Sequence, residues 1–364
     1  NRIMLSPVLS GEKTIDDIML HPHAWYSDKG IKFIADDPAI KIDRTRKVVH
    51  TQKGESVDYD RLIIATGSSP FIPPVQGVDL KGVISFRDIY DVNTMIKYCE
   101  TKKNAVVIGG GLLGLEAAYG LKQRGMNVTV LHLMDRIMER QLDGRASRML
   151  RQSIEEKGIN IITEANTEAL IGKDGHVNQV RLKDGTVLDA DLVVFAVGIR
   201  PNIALAQSAG LRCNRGILVN DTMQTFDPSI YAVGECIEHR NQTFGLVEPL
   251  WGQAFICATH LAEHGSLTFK SPTVPTQLKV SGVDVFSAGN FEPKEDYEDI
   301  ILNDEKRQIY KRIIIQKDKV IGAVLFGDTE DGMWYAELIA DQTPISTFRN
   351  KLLFGKDFAM KKAG

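Results

Sequence analysis

One glycine-rich segment of the chain has residue types that can bind a dinucleotide. The segment GGGLLG is a G-x-G-x-x-G pattern that follows the apolar run NAVVI and precedes the helical pattern LEAAYGLKQRG. The first glycine allows a tight turn, the second lets the backbone approach a pyrophosphate, and the third lets the helix pack closely on the strand. A glycine turn without a ligand is the alternative, but the strand-to-helix context favours binding at the positive helix end. The predicted binding residues are Gly109, Gly111, Leu112, Leu113 and Gly114.

The acidic residue that commonly follows such a loop is absent at its expected place. A carboxylate about 20 residues downstream, at the end of the second strand, would accept a hydrogen bond from the ribose 2′-hydroxyl. Here the strand VTVLH ends in His132. A neutral histidine can donate to a hydroxyl and a protonated one can face a 2′-phosphate, as can the nearby Arg136. The alternative is that His132 only ends a strand at the surface, so the choice between NADH and NADPH stays open.

Three further strands end in a glycine. Two of them, IIATG and VFAVG, lie on either side of the glycine-rich segment, and such ends let the chain pass close to a bound dinucleotide. The third lies in TFDPSIYAVGE and ends in a glycine and an acid, which can accept hydrogen bonds from the ribityl hydroxyls of a flavin. The pattern predicts two joined dinucleotide-binding domains. The predicted binding residues in these strands are Ala65, Thr66, Gly67, Gly198, Gly234 and Glu235.

The elements that position these residues follow from hydrophobic period and turn residues. The run from NAVVIGGG to MNVTVLHL is one βαβ unit. Three prolines exclude a helix interior over residues 68–82. Helices are predicted over residues 91–100, 144–157 and 248–263. Short strands are predicted over residues 31–60 as IKFIADD, KIDRTRKVVHT and GESVDYD, and an antiparallel sheet over residues 276–326.

Composition excludes several classes of function. The 364 residues are 43% hydrophobic and 25% charged, which predicts a globular protein of two or three domains. The net charge of -3 gives no basis for a nucleic-acid or anionic-membrane partner, and no apolar run reaches the roughly 18 residues of a membrane span. The four cysteines form no C-x-x-C pair, which argues against a redox disulfide of that spacing and fits a reducing cytoplasm.

A cluster of potential metal ligands lies on the last predicted helix. Cys257, His260 and His264 share one face, but no further ligand is identifiable and a solvated helix face is favoured, so no metal site is predicted. Cys236 follows the predicted flavin-binding acid without a second cysteine nearby, which favours a small buried residue.

In combination, these motifs resemble the pyridine nucleotide–disulfide oxidoreductase superfamily, in its variant without a redox disulfide. The shared order is ATG, then GGGLLGLEA, then TFDPSIYAVGE. More narrowly, several runs resemble the flavin module of the assimilatory NAD(P)H-dependent nitrite reductase large subunits. These runs are NRIMLS, MERQLD, GIRPN, FGLVEPLW, LKVSGVDV and IGAVLFGDT, and the resemblance extends to about residue 345.

The resemblance implies further site residues. Glu116, two residues after Gly114, would be the catalytic residue near the nicotinamide amide and the flavin ring, with a solvent-facing helical glutamate as the alternative. A helix that begins near Leu250 and Trp251 would direct its positive end at the flavin pyrimidine edge. The remaining residues implied to lie near the flavin are Arg2, Ser6 and Lys279.

The resemblance also implies the fold. It is an α/β fold with two dinucleotide-binding (Rossmann-like) domains and an α+β C-terminal domain. In the family, a first βαβ unit holds the ADP half of FAD, and the sequence begins after it, so the first domain is expected to lack its N-terminal βαβ unit and to bind FAD weakly by itself. The expected domains are residues 1–82 with 200–264 for FAD, 83–199 for NAD(P)H, 265–347 for the C-terminal domain and 348–364 for a tail.

The implied activity is hydride transfer from NAD(P)H to FAD. The electrons would continue to an iron–sulfur and sirohaem portion, or to a small subunit, of an assimilatory nitrite reductase. A stand-alone NAD(P)H:rubredoxin or ferredoxin reductase and an NADH oxidase are alternatives. A nucleotide-binding redox sensor without useful turnover is an alternative of another class. The oligomeric state stays open, with a homodimer as one option.

Overall fold

The chain forms two compact units. The computed structural model describes residues 1–271, 275–280, 282–292 and 296–360. The first unit comprises Asn1–Ile18, Ile72–Val197 and Thr273–Gly364. The second unit comprises Met19–Phe71 and Gly198–Pro272.

A five-stranded parallel sheet is the centre of the first unit. Its strands are short and apolar, and all four residues of Leu192–Phe195 are buried, as expected for a parallel sheet covered on both faces. Asn104–Ile108, which leads into the glycine-rich segment, lies in the middle of the sheet. The strand order is Val83–Ser85, Leu192–Phe195, Asn104–Ile108, Asn127–Leu131 and Ile159–Ile162.

Helices and a small antiparallel sheet complete this part of the unit. Asp88 and Asp91 form a capping box at the start of Ile89–Thr101, and Asp143 caps Gly144–Glu155. These two helices match the predicted ones within three residues at each end. The helix that follows the glycine-rich segment is Leu112–Gln123. The antiparallel strands are Thr167–Lys173, His176–Leu182 and Val187–Asp189.

The first residues of the chain pack in the first unit. The helix Leu5–Ser10 buries Leu5, Val8 and Leu9 in the same core cluster as Leu112–Gln123. A side chain at Gly120 would meet the Leu9 side chain at 2.7 Å, so glycine permits this close approach. Residues 1–18 thus belong to the first unit. The division into FAD-binding, NAD(P)H-binding and C-terminal domains stays a prediction. Two short 3-10 helices, Arg2–Met4 and Asp16–Ile18, flank it.

The C-terminal part of the first unit is an antiparallel sheet with one covering helix. The alternation over residues 276–326 predicted this sheet, and the structure confirms it. The helix Gly332–Asp341 buries Trp334 and Tyr335 in the core of this part. The strand order is Thr276–Val280, Val283–Gly289, Lys319–Phe326, Ile309–Gln316 and Glu298–Asp304. The chain continues through the 3-10 helix Arg349–Phe354 and the helix Lys356–Met360.

The second unit has several small sheets. Among its described residues, Leu62–Ile64 pairs in parallel with Ile230–Ala232, and Ser68–Pro70 pairs antiparallel with Ile199–Pro201. A three-stranded antiparallel sheet contains Ala39–Asp43, Val48–Thr51 and Ser56–Asp58, and another sheet contains Ile217–Leu218, Ile237–His239 and Gln242–Thr243. The helices are His23–Asp28, Ala204–Ser208 and Val247–Leu261.

The prediction of a strand over IKFIADD is wrong. Residues 31–35 have no regular structure, and both Ile31 and Phe33 are about half exposed. Asp36 has φ 54, a left-handed conformation that does not fit a strand. The run KIDRTRKVVHT, predicted as one strand, forms two antiparallel strands, Ala39–Asp43 and Val48–Thr51, because the chain turns at Lys47 with φ 56. The strand predicted in GESVDYD is present as Ser56–Asp58.

Candidate functional site

The glycine-rich segment has the geometry of a dinucleotide-binding turn. Gly109 has φ +123, and a Cβ there would lie 2.3 Å from the Ala196 carbonyl oxygen. A Cβ on Gly114 would lie 1.9 Å from the Gly109 carbonyl oxygen. Both positions therefore require glycine, the first for backbone conformation and the second for the approach of the helix to the strand.

Gly111 differs from these two glycines because it faces open space. A Cβ there would meet no atom within 4 Å, and its φ of -85 suits any residue. Gly111 is the N-cap of Leu112–Gln123, and no side chain caps the helix. Leu113 is exposed at this end of the helix. An uncapped helix N-terminus next to open space fits the pyrophosphate of a dinucleotide.

His132 is held inside the protein and is not at the surface. It is 8% exposed, and its Nδ1 accepts a hydrogen bond of 3.0 Å from the backbone N–H of Gly110. Its Nε2 lies 3.1 Å from Glu139 Oε2. Because Nδ1 accepts a hydrogen bond, Nε2 carries the ring proton and donates a hydrogen bond to the Glu139 carboxylate. Direct contact of His132 with a ribose would require one of these two hydrogen bonds to break.

Arg136 is paired with a carboxylate from the C-terminal part of the first unit. Its Nη2 donates to Glu292 Oε1 at 2.5 Å, and its Nη1 lies 3.9 Å from Asp135 Oδ2. Its Nε is buried and has no hydrogen-bond partner among the described residues. The positive charge predicted to face a phosphate is thus balanced by Glu292.

Two residues predicted separately as site residues contact each other. Ser6 Oγ donates a hydrogen bond of 2.5 Å to Glu116 Oε2. Glu116 is partly buried on the first turns of Leu112–Gln123, and burial raises its pKa above the ordinary 4.5, against the opposing effect of the Ser6 hydrogen bond. Arg2 lies in the short 3-10 helix that precedes Ser6. Glu116 is therefore not the solvent-facing glutamate of the alternative interpretation.

In the second unit, Asn202 is hydrogen-bonded to the glycine-ended segment that follows the strand Leu62–Ile64. Asn202 Nδ2 donates to the Thr66 carbonyl oxygen at 2.9 Å, and Thr66 Oγ1 donates to the Asn202 carbonyl oxygen at 2.7 Å. The Asn202 N–H donates to the Gly67 carbonyl oxygen, and the Phe71 N–H donates to that of Gly198. Asn202 was not predicted as a site residue, although it ends the run GIRPN; its role depends on a partner 136 positions away.

Both segments have a glycine in the left-handed region, and the one at Gly198 also faces open space. Gly67 has φ 64 and Gly198 has φ 111, and a Cβ on Gly198 would meet no atom within 4 Å. Ala65 and Thr66 are exposed beside them. The chain can therefore approach a ligand closely at this point.

Gly234 and Glu235 follow the strand Ile230–Ala232. Gly234 has φ +93 and open space around its Cα, and Glu235 is 5% exposed and accepts a hydrogen bond of 3.0 Å from Ser68 Oγ. The Gly234 N–H donates to Gln253 Oε1 at 2.8 Å. Gln253 was missed, and the signal for it is a single amide within the apolar helix sequence LWGQAFI. A buried carboxylate beside an open glycine fits a hydroxyl-bearing chain such as the ribityl part of FAD.

The helix predicted over residues 248–263 is present as Val247–Leu261, and it begins three residues before Leu250 rather than at Leu250 and Trp251. Its N-cap is Leu246 without a side-chain cap; Leu250 is partly buried and Trp251 is 68% exposed. Cys236 is fully buried, as predicted, and burial raises the pKa of its thiol. His260 Nδ1 lies 2.9 Å from the Tyr231 hydroxyl. Lys279 lies on the strand Thr276–Val280, but its side chain is outside the described residues.

The chain belongs to the pyridine nucleotide-disulphide oxidoreductase family, whose model matches residues 1–254. Residues 275–343 match the rubredoxin NAD+ reductase C-terminal domain. The chain is therefore of the class of FAD-dependent oxidoreductases that use NAD(P)H, as the sequence predicted. Among the described residues, no helix is long and apolar enough to cross a membrane.

Two curated relatives show which members of this family the chain resembles. The chain is 48% identical over 346 residues to nitrite reductase [NAD(P)H] of Bacillus subtilis (strain 168), covering 95% of the chain and 43% of that protein. It is 42% identical over 353 residues to the assimilatory nitrate reductase electron transfer subunit of the same organism, covering 97% of the chain and 46% of that protein. The chain thus spans less than half the length of these curated relatives.

A solved structure shows the same fold. The NAD-dependent persulfide reductase from A. fulgidus matches with a TM-score of 0.88 at 28% identity, covering 96% of the chain and 71% of that protein.

Proposed function

We propose that the chain is the electron-input module of an assimilatory NAD(P)H-dependent nitrite reductase. The observation that carries the proposal is the 48% identity to the Bacillus subtilis nitrite reductase over 95% of the chain. FAD, when bound, accepts a hydride and releases electrons to a further redox centre. The acceptor is the iron–sulfur and sirohaem portion of the enzyme, or a small subunit, and the protein works in the cytoplasm.

The residues of the first unit bind and orient the nicotinamide dinucleotide. The open backbone at Gly111 and the uncapped helix Leu112–Gln123 hold the pyrophosphate, because their N–H groups are directed at it. Glu116 and Ser6 form a hydrogen-bonded pair after this turn. We assign Glu116 to orient the nicotinamide amide, as the resemblance implies.

The residues of the second unit hold FAD. Gly67, Gly198 and Gly234 give close backbone approach, and the buried carboxylate of Glu235 accepts from ribityl hydroxyls. Ser68 orients that carboxylate. The division into FAD, NAD(P)H and C-terminal domains, a homodimer and a role for Lys279 at the flavin are part of the same proposal.

A change at Glu235 tests the flavin site. Glu235→Gln keeps an acceptor for Ser68 but loses the charge, so FAD affinity should fall about tenfold, since a hydrogen bond to a charged group contributes about 1.5–3 kcal/mol. FAD affinity is measured by titrating the purified protein with FAD and following the visible absorbance. Glu263→Gln, an exposed glutamate of the same unit, is the control and should retain FAD like the native protein.

Anaerobic stopped-flow measurements test the activity of the native protein. In the complete enzyme, NADH or NADPH should bleach the FAD absorbance, and nitrite should then restore it. The 364-residue chain alone should be bleached but not restored by nitrite, because its four cysteines offer no spacing for an iron–sulfur cluster. Restoration by rubredoxin but not by nitrite would favour a rubredoxin reductase, the second candidate, which the match of residues 275–343 supports. Nucleotide binding without any bleaching would favour a redox sensor.

A further inference from the structure

The segment after the second strand of the βαβ unit folds back onto the middle glycine of the nucleotide-binding turn. The Met138 N–H donates to the Gly110 carbonyl oxygen at 3.0 Å. A side chain at Gly110 would meet His132 Cγ at 2.8 Å and Ile137 Cγ2 at 2.9 Å. The segment 132–139 is thus packed against the turn that the dinucleotide occupies in the proposed function.

A chain of hydrogen bonds continues from that turn to a carboxylate. The Gly110 N–H donates to His132 Nδ1, and His132 Nε2–H donates to Glu139 Oε2. His132 thereby fills the place where an acid at the end of the second strand would stand. The carboxylate of Glu139 lies at the far end of the imidazole ring, seven positions further along the chain.

Glu139 keeps acceptor capacity after its contact with His132. A carboxylate has about four acceptor positions on its two oxygens. The side chain is 24% exposed, and its Oε1 has a distant neighbour, Arg140 Nε at 3.8 Å, on an arginine that is itself 86% exposed. The two neighbouring hydroxyls of a ribose need two acceptors side by side, and the two oxygens of a carboxylate provide them.

The positive charges near Glu139 are already balanced. Arg136 is paired with Glu292 and lies near Asp135, and Arg140 lies near Glu139 itself. A 2′-phosphate would face the Glu139 carboxylate and would have to compete with carboxylates for each arginine. Charge therefore favours a ribose with a free 2′-hydroxyl.

We propose that Glu139, positioned by His132, binds the adenosine ribose hydroxyls and selects NADH over NADPH. The proposal rests on the proposed function only in that the turn binds a nicotinamide dinucleotide. The role of the motif's acidic residue, which binds the ribose, is thus assigned to Glu139, seven positions after His132 and beyond the end of the second strand. His132 is the positioning residue.

Calorimetric titration of the FAD-loaded native protein tests the proposal without hydride transfer. The probes are ADP-ribose and 2′-phospho-ADP-ribose, which lack the nicotinamide. The native protein should bind ADP-ribose more tightly. Glu139→Gln should weaken ADP-ribose binding about tenfold, as expected for loss of a charged acceptor, and should not weaken binding of the phosphorylated probe.

His132→Asn tests whether His132 positions the Glu139 carboxylate, and Glu156→Gln is a control for the loss of a negative charge. His132→Asn keeps an acceptor for Gly110 but is too short to reach Glu139, so it should cause a smaller loss in the same direction. Glu156→Gln changes an exposed glutamate at the end of Gly144–Glu155 and should bind both probes like the native protein.

The outcomes distinguish this inference from the proposed function. An affinity ratio of the two probes that changes less than about twofold in Glu139→Gln, under ~0.4 kcal/mol, would overturn the inference. Failure of the native protein to bind either probe would overturn the proposed function as well. Normal probe selectivity without flavin reduction would overturn the proposed function alone.

Discussion

Ser6 and Glu116 are hydrogen-bonded across 110 positions of the chain. The contact forms because the helices Leu5–Ser10 and Leu112–Gln123 pack together, and Glu116 follows the glycine-rich turn on the second of them. The hydroxyl is neutral, so it orients the partly buried carboxylate without supplying a positive charge to balance it. This arrangement leads to two predictions.

Glu116→Ala should slow flavin reduction more than it weakens nucleotide binding. The reason is that Glu116 lies beyond the glycines that hold the pyrophosphate, at Gly109 to Gly114. Stopped-flow reduction of the FAD-loaded native protein gives the rate, and its dependence on nucleotide concentration gives the affinity. An unchanged reduction rate at saturating nucleotide would exclude a role for Glu116 in hydride transfer.

Above pH 4.5, the ordinary pKa of glutamate, Glu116→Gln should have a higher melting temperature than the native protein, and this difference should grow as pH rises. Burial raises the pKa of Glu116 in the folded state, so the folded protein keeps this proton at pH values where the unfolded chain has lost it. Stability from this group is then fully present below 4.5 and falls as pH rises through the folded pKa. Glutamine can still accept from Ser6 and does not titrate. Thermal unfolding over a pH series measures the difference, and a difference that shrinks with rising pH would contradict the assigned direction.

Gly109→Ala should lower the stability of the protein, whereas Gly111→Ala should abolish ADP-ribose binding with little loss of stability. Alanine at position 109 must adopt φ +123 and approach the Ala196 oxygen, which costs about 1–3 kcal/mol from the backbone strain and lowers the melting temperature. Alanine at position 111 enters open space, so the melting temperature should change much less while ADP-ribose binding is lost. Calorimetry and thermal unfolding on both variants make the comparison. Binding by Gly111→Ala at the native affinity would place the pyrophosphate elsewhere.

Arg312→Met should strongly destabilise the first unit. Arg312 Nη1 lies 3.2 Å from Asp143 Oδ2 and its Nε lies 2.9 Å from Asp299 Oδ2, and Asp143 also accepts from the Tyr310 hydroxyl at 2.8 Å. Removing one partner of a buried pair costs about 3–5 kcal/mol, because the carboxylate stays behind. The matched control Arg307→Met removes an ion pair whose arginine is 79% exposed and should cost below about 1 kcal/mol. Denaturant unfolding measures both, and equal midpoints would show that the Asp143 cluster does not contribute to stability.

The local sequence was sufficient to predict the βαβ unit, the three long helices near residues 91–100, 144–157 and 248–263, and several site glycines. The strand, turn and helix around Gly109 follow from an apolar run, three glycines and a helical period, all within about 20 residues. The antiparallel C-terminal sheet follows from alternation. The expected strand over residues 31–37 failed because a short apolar run does not show whether a partner strand is available to pair with it.

Contacts between distant residues were decided by the tertiary structure. The motif predicted that the end of the second strand matters for nucleotide choice, and it named His132. Only packing showed that His132 is turned inward to Gly110 and that Glu139 carries the nearby carboxylate. The same holds for Asn202 with Thr66 and for Ser68 with Glu235. Local backbone preferences depend on neighbours in the chain and are visible in the sequence, whereas the direction of a polar side chain depends on which buried group it must satisfy.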